Sequence, residues 1–95
     1  MAEIPHVQNP IMDYARSQDW LARRMRYLGR VGCPDTFFFK AGVILIMEFK
    51  DEGKEPNEMQ KREHARLRRR GIVVHVVDNV AEGMRILDAH DPDAI

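Results

Sequence analysis

Five consecutive apolar residues, Val43 to Met47, form a short β-prone run in the middle of the chain. A strand that is apolar at every position is typical of a central strand, because other elements must cover both of its faces. The run Phe37 to Phe39 precedes it, separated only by Lys40-Ala41-Gly42. This pattern predicts a β-hairpin whose second strand lies inside a covered sheet. It favours an α/β domain.

Helix and strand signals flank the hairpin. Asn9-Pro10 is typical of a helix start, with Asn as N-cap and Pro at the first helical position, and predicts a helix from Ile11 to about Ser17. A second helix is predicted from about Glu58 to Arg70, followed by Gly71 at its C′ position. The apolar run Ile72 to Val77 predicts another buried strand.

Two further segments complete the expected order of elements. Asn79-x-x-Glu82 forms a capping box that opens a last helix. The segment Trp20 to Leu28 fits helical spacing, but a short strand is also possible. With a strand there, the prediction is an α/β fold, α-β-β-β-α-β-α, around a small mixed sheet. We expect one domain over residues 1–95, since the chain shows no repeat, low-complexity stretch or linker.

Composition excludes several classes of protein. The chain has 95 residues, of which 44% are hydrophobic, and its longest apolar run is far short of the roughly 20 residues that a membrane span needs. Its single cysteine, Cys33, rules out an intrachain disulfide framework and a multi-cysteine zinc site. No cationic, apolar signal sequence opens the chain, so we expect a cytoplasmic protein without a membrane partner.

The formal net charge is zero, but the charges are unevenly distributed. Residues 16–70 carry fourteen basic and eight acidic side chains, a surplus of six. Six of these cations lie in one short segment that we predict to bind nucleic acid: Lys61, Arg62, Arg66, Arg68, Arg69 and Arg70. Arginine suits bidentate contact with phosphate. The alternative is that the segment is simply a solvated helix face.

The hairpin places two carboxylates opposite each other if its turn has two residues. Lys40 then faces Val43, and counting outward, Asp35 faces Glu48. Directly opposed side chains have Cβ atoms only about 4.5–5.5 Å apart, so two carboxylates there repel unless a cation lies between them. Hard oxygen ligands favour Mg²⁺ or Mn²⁺. A three-residue turn would shift this register by one. The alternative is that Glu48, Lys50 and Asp51 merely mark the point where a buried strand reaches solvent.

These residues resemble a known family. Gly32-Cys33-Pro34-Asp35, a hairpin and then Glu48-Phe49-Lys50 are similar to the Pro-Asp … Asp/Glu-x-Lys nuclease superfamily, PD-(D/E)xK. Within it the chain resembles a small, stand-alone member of the virus-type replication-repair nuclease (VRR-NUC) family, which also has a Gln in the first turn of the next helix, here Gln60. The resemblance implies a restriction-endonuclease-like fold, with a strand in the segment Trp20 to Leu28.

The resemblance also implies roles for individual residues. Asp35 and Glu48 correspond to metal-binding carboxylates, the main-chain carbonyl of Phe49 to a further metal ligand, and Lys50 to the catalytic lysine. Gln60 corresponds to a glutamine that contacts the metal-site water or phosphate, although Asn57-x-x-Gln60 is also a possible capping box.

The first helix departs from the family pattern. Members often carry a Glu there that approaches the metal site. In this chain the candidates are Glu3, His6 and Asp13, and none aligns. The resemblance therefore leaves open whether a second metal position exists.

The implied function is a metal-dependent, structure-selective DNA endonuclease. Stand-alone relatives resemble enzymes that resolve four-way (Holliday) junctions as homodimers, which implies branched DNA as substrate, in a bacterial or phage-infected cell. The first and last helices are the expected dimer surfaces, through Ile11, Met12 and Tyr14 of the first and Met84, Ile86 and Leu87 of the last. The alternatives are a monomeric flap- or end-acting nuclease and a catalytically silent nucleic-acid-binding subunit.

Overall fold

One mixed sheet of four strands organises the computed structural model, which describes residues 4–94. Along the chain the elements are α1 (Pro5–Ser17), β1 (Leu21–Arg24), β2 (Thr36–Lys40), β3 (Val43–Phe49), α2 (Glu58–Arg68), β4 (Val74–Val77) and α3 (Val80–His90). The strands lie in the order β1-β2-β3-β4. The β1–β2 and β2–β3 pairs are antiparallel and the β3–β4 pair is parallel. The predicted order of elements and the mixed sheet are confirmed.

A two-residue turn joins β2 and β3. Both turn residues have positive φ angles, 45° at Ala41 and 84° at Gly42. This is the conformation of a type I′ turn, whose twist matches that of the flanking strands. Lys40 therefore pairs with Val43, and the ladder continues to the pair of Thr36 and Met47. The predicted register of the hairpin is confirmed.

The two faces of the sheet are covered by different helices. Alternate residues of a strand point to opposite faces. Leu45, Met47 and Phe49 belong to the hydrophobic core formed with residues of α1 and α3. Glu48, which lies between Met47 and Phe49, points to the opposite face and contacts Gln60 and His64 of α2. Thus α1 and α3 pack on one face of the sheet and α2 on the other.

The α2 face is only partly covered. A single helix is about 10 Å across, and α2 alone on this face is too narrow to cover four strands spaced about 4.8 Å apart. Ile44 is consequently 59% exposed, and Ile72 and Val73 beyond the end of α2 are also exposed. Two expectations are therefore wrong: the run Val43 to Met47 is not covered at every position, and Ile72 to Val77 is not a wholly buried strand. The strand is limited to Val74–Val77.

The first helix begins five residues earlier than Asn9-Pro10 predicts, at Pro5 instead of Pro10. Pro5 takes the first helical position, and Pro10 lies inside the helix. Proline in a helix removes one backbone hydrogen bond. Here Val7, one turn before Ile11, is buried in the core, so extending the helix toward its N-terminus adds apolar packing that offsets the missing hydrogen bond.

Two other boundaries differ from the sequence prediction. The helix α2 ends at Arg68 rather than Arg70, and a turn ending at Gly71, with φ of 81°, follows it. Only Leu21–Arg24 of the segment Trp20 to Leu28 forms a strand. Residues 25–35 form a long connection that we name the β1–β2 loop. Among residues 4–94, no helix has the length and apolar character to cross a membrane.

Candidate active site

Asp35 and Glu48 lie at neighbouring ends of the hairpin. The β2–β3 ladder ends at the pair of Thr36 and Met47, so the next position in the same register places Asp35 opposite Glu48. Asp35 is further fixed by its main chain, because its carbonyl accepts a 2.6 Å hydrogen bond from the amide of Met25. Pro34, directly before it, is fully buried. Backbone pairing thus brings the two carboxylates together.

Glu48 is a buried carboxylate, with only 4% of its surface exposed. Its Oε2 accepts a 3.2 Å hydrogen bond from Nε2 of Gln60. Its Oε1 lies 3.5 Å from Nε2 of His64, and neither of these atoms has a hydrogen-bond partner within the described residues. Burial raises the pKa of Glu48 to about 7; Lys50 opposes the rise and Asp35 adds to it. A buried carboxylate with a raised pKa is stabilised in its ionised form when a positive charge binds beside it.

Gln60 combines the two roles that the sequence left as alternatives. Its Oε1 accepts a 2.9 Å hydrogen bond from the amide of Asn57, and its own amide donates to Oδ1 of Asn57, which completes a capping box at the start of α2. Its Nε2 remains directed at Glu48. The cap therefore fixes the side chain that contacts the carboxylate.

Lys50 follows β3 at the same end of the sheet. Its backbone amide donates a 2.9 Å hydrogen bond to the carbonyl of Val77, which extends the parallel pairing of β3 and β4 past Phe49. Its positive charge lowers the pKa of Glu48. The carbonyl of Phe49 and the Cα atom of Lys50 thus both lie on a segment of backbone that is fixed by hydrogen bonds.

Asp35 is more accessible than Glu48. Its side chain is 39% exposed, and its Oδ2 lies 3.5 Å from Nη2 of Arg24 on β1. The hydroxyl of Thr36 donates a 3.0 Å hydrogen bond to its other oxygen. The candidate site therefore has one buried carboxylate, which is fixed by α2, and one that is open to solvent.

The helix-1 candidates differ in position. Nε2 of His6 lies 3.0 Å from Oδ1 of Asp51, the residue after Lys50, so His6 is near this end of the sheet. Asp13 pairs with Arg16 on its own helix. Glu3 lies outside the described residues. Within residues 4–94, no group of three or more His, Cys, Asp or Glu side chains is placed to hold a metal ion.

The residues present nevertheless fit a hard divalent cation. Two carboxylates converge from adjacent strands, and Oε1 of Glu48 is buried without a hydrogen-bond partner in the described part of the chain. Oxygen donors of this kind are the ligands that Mg²⁺ and Mn²⁺ prefer. Magnesium is commonly held by one or two carboxylates with water completing its shell, so a third acidic side chain is not required.

The predicted nucleic-acid-binding residues lie on the exposed side and C-terminal end of α2. Lys61 is partly neutralised by Glu55 at 3.3 Å and Glu58 at 3.7 Å. Arg66 pairs with Glu63 at 3.2 Å. Arg62, Arg68, Arg69 and Arg70 are exposed and make no ion pair within residues 4–94. This end of α2 therefore presents arginine charge to solvent.

Comparison with known proteins identifies the family. No protein-family model and no curated protein matches the chain. A solved structure described as a "VRR_NUC domain" superposes on it with a TM-score of 0.79 and 36% sequence identity, over 90% of this chain and 92% of that one. The chain belongs to the VRR-NUC family. The restriction-endonuclease-like fold is therefore confirmed, and membership implies a nuclease of the PD-(D/E)xK type that acts on DNA.

The VRR-NUC domain contains two site neighbours that sequence reasoning did not assign. His64 is four residues after Gln60, a spacing that places both on one face of a helix, but only the packing of α2 on Glu48 reveals its contact. Arg24 is distant from Asp35 in sequence, and the pairing of β1 with β2 brings them together. In the sequence, only the i, i+4 spacing from Gln60 could have indicated that His64 is near the site, and no comparable spacing links Arg24 to Asp35.

Proposed function

We propose that this VRR-NUC domain is a metal-dependent DNA endonuclease that hydrolyses phosphodiester bonds at the paired ends of β2 and β3. The observation that carries the proposal is the buried carboxylate of Glu48, whose pKa of about 7 reflects burial beside Asp35. A buried, partly unsatisfied carboxylate is unfavourable in the absence of a positive partner. Such arrangements are concentrated at functional sites.

The residues divide the chemistry among them. Asp35, Glu48 and the carbonyl of Phe49 would hold Mg²⁺ or Mn²⁺. When bound, the cation polarises a phosphoryl oxygen and lowers the pKa of the attacking water. The ammonium group of Lys50 stabilises the negative charge that develops on the phosphate. Gln60 orients Glu48 through the 3.2 Å hydrogen bond.

The exposed arginines of α2 support DNA as the substrate. Exposed arginine is suited to contact with phosphate, and phosphate contacts position a protein on DNA without reading base sequence. Replacement of Arg69 and Arg70 by Gln should weaken binding to all sequences alike. The slope of log affinity against log salt should become shallower by about one for each phosphate that the variant no longer binds. Unchanged affinity and slope would show that the two arginines are only a solvated face.

The open part of the α2 face supports a homodimer. Ile44, Val73, Ile72 and Tyr27 line an apolar groove there, and each is at least 39% exposed. Most of the surface expected from the sequence is unsuitable, because Ile11, Met12, Ile86 and Leu87 are buried in the core of the chain itself. Only Tyr14 and Met84 of the expected residues are partly exposed. A two-fold dimer through the groove would place two active sites on one four-way junction, which needs two incisions.

One experiment separates these possibilities. Labelled linear, flap and four-way DNA substrates are incubated with and without Mg²⁺ or Mn²⁺, and the mass of the protein in solution is measured by light scattering. Paired incisions in the four-way substrate by a dimer are expected. If the protein is a monomer that cuts flaps or ends, it is the alternative flap- or end-acting nuclease and not a junction-resolving enzyme. If no substrate is cleaved with either cation, the remaining hypothesis is a catalytically silent nucleic-acid-binding subunit.

A further inference from the structure

We propose that the β1–β2 loop binds the phosphodiester backbone of the DNA next to the cleavage position, through Arg26 and Arg30. The inference rests on the proposed nuclease function and extends it to a second phosphate-binding element, separate from α2. Three observations carry it: the loop's position beside Asp35, its attachment to α2, and the charge that it presents.

The loop borders the carboxylate site directly. A cleft of about 560 Å³ is lined by Arg24, Arg26, Arg30 and Asp35 together with neighbouring loop residues. Asp35 is the solvent-accessible carboxylate of the candidate site. A strand whose phosphate reaches Asp35 therefore passes the arginines of this cleft.

The same cleft system continues onto α2. A second cleft, of about 280 Å³, lies between the loop and the helix, and Arg30, Arg62 and Arg66 all line it. Arg30 borders both clefts. The arginines therefore follow one path from the carboxylate site to the predicted nucleic-acid-binding helix. A row of arginines of this kind can contact successive phosphates of one nucleic-acid strand.

The loop is fixed on α2 by its backbone and by Glu63. A Cβ added to Gly32 would lie 2.9 Å from the main-chain carbon and oxygen of Met59, so only glycine allows this close approach. Glu63 accepts from Nη2 of Arg30 at 3.4 Å and from Sγ of Cys33 at 3.5 Å. The backbone of the loop and the side chain of Arg30 are thus held in position before DNA arrives, which reduces the entropy cost of binding.

The balance of charge also favours phosphate. No ion pair within residues 4–94 neutralises Arg26, which is exposed. Arg30 shares Glu63 with Arg66, so this single carboxylate opposes two guanidinium groups. An arginine that is unpaired, or that shares one carboxylate, retains donors for bidentate contact with a phosphate.

The test compares two double variants with equal loss of charge. Arg26→Gln/Arg30→Gln removes the two loop charges, and the control Arg16→Gln/Arg85→Gln removes two from α1 and α3, on the other face of the sheet. Binding of labelled four-way and linear DNA is measured by fluorescence anisotropy over a range of salt, without divalent cation. The loop variant should bind roughly tenfold or more weakly, and its salt slope should become shallower by about two. The control should keep an affinity and a salt slope close to those of the wild type. Equal losses of affinity in both variants would show that only the net charge matters, and would overturn the proposal.

A second measurement locates the phosphate that the loop binds. One neutral methylphosphonate is placed one to three nucleotides from the mapped cleavage position. It should weaken binding by the wild type, and have little further effect on the loop variant, which no longer has the arginines that bind this phosphate. Equal effects on both proteins would place the loop elsewhere on the DNA and overturn the proposal. Failure of the wild type to cut any substrate would instead contradict the nuclease function, while the salt slopes would still report on the loop. Thermal melting checks that each variant is folded.

Discussion

Gln60 donates one hydrogen bond, 3.2 Å long, from its side-chain Nε2 to Oε2 of Glu48, and both residues are buried. The other end of the same amide accepts from the backbone of Asn57 and caps α2. A single side chain thus couples the start of a helix to the orientation of a carboxylate at the end of a strand. Outer partners of this kind commonly affect metal affinity or activity by 10- to 100-fold.

This coupling predicts different effects for two variants that each remove one of the two hydrogen bonds of the capping box. Asn57→Ala should destabilise the protein by about 1 kcal/mol and change cleavage little, since the hydrogen bond between Gln60 and Glu48 remains. Gln60→Ala should remove both its side-chain half of the capping box and the hydrogen bond to Glu48, and should reduce both Mg²⁺ affinity and cleavage by roughly tenfold or more. Thermal melting, calorimetric titration of Mg²⁺ and single-turnover cleavage measure these effects. Equal losses of cleavage in both variants would make Gln60 a capping residue only.

Burial of Glu48 predicts a stability that depends on pH in the absence of metal. The pKa of Glu48 is about 7 in the folded protein, against an ordinary value of 4.5. As pH rises from about 4.5 to 7, the unfolded chain releases this proton and the folded protein retains it, so the free energy of unfolding falls. The decrease is about 3 kcal/mol in total, and it is complete above pH 7.

Glu48→Gln should therefore stabilise the metal-free protein while abolishing cleavage. At pH 8 its melting temperature should exceed that of the wild type by roughly 5–15 °C, and at pH 4.5 the two should melt at similar temperatures. Added Mg²⁺ should raise the melting temperature of the wild type and leave that of the variant unchanged. A variant that is less stable than the wild type at both pH values would contradict the assignment of Glu48 as a buried carboxylate with a raised pKa that binds a cation.

Lys50 is predicted to act on the reaction rather than on DNA binding. Lys50→Ala removes the charge that stabilises the developing phosphate anion, and should reduce cleavage by about 100-fold or more. Asp35→Asn should have a comparable effect through removal of a cation ligand. DNA affinity of Lys50→Ala should stay within a few-fold of the wild type, because we assign most phosphate binding to α2 and the β1–β2 loop. Cleavage that survives Lys50→Ala would exclude it as the catalytic lysine.

The sequence specified the hairpin and the carboxylate pair because both depend on local rules. Ala41-Gly42 sets a two-residue turn, the turn sets the register, and the register places Asp35 opposite Glu48. The start of α1 was mispredicted because the local signal, an Asn N-cap before a proline, favours Asn9-Pro10. The helix begins instead at Pro5, after Ile4 and without a side-chain cap, and the packing of Val7 into the core explains the earlier start. The exposure of Ile44 was also missed, since an apolar run does not reveal how much of the sheet the covering helix reaches.

The exposed groove on the α2 face predicts where a homodimer forms. A core this small gains stability from burying more apolar surface, and Ile44 is 59% exposed in the groove, beside Val73 at 54%. The wild type should sediment with about twice the chain mass of 11.1 kDa at micromolar concentration. Ile44→Glu would bury an unpaired charge at the two-fold interface, and should give a folded monomer that no longer makes paired cuts in four-way DNA. The control is Leu28→Glu, an equally charged change at a residue that is 92% exposed and outside the groove, which should remain dimeric. A dimer that persists in Ile44→Glu would move the interface to another surface, and a monomeric wild type would favour the flap- or end-acting nuclease.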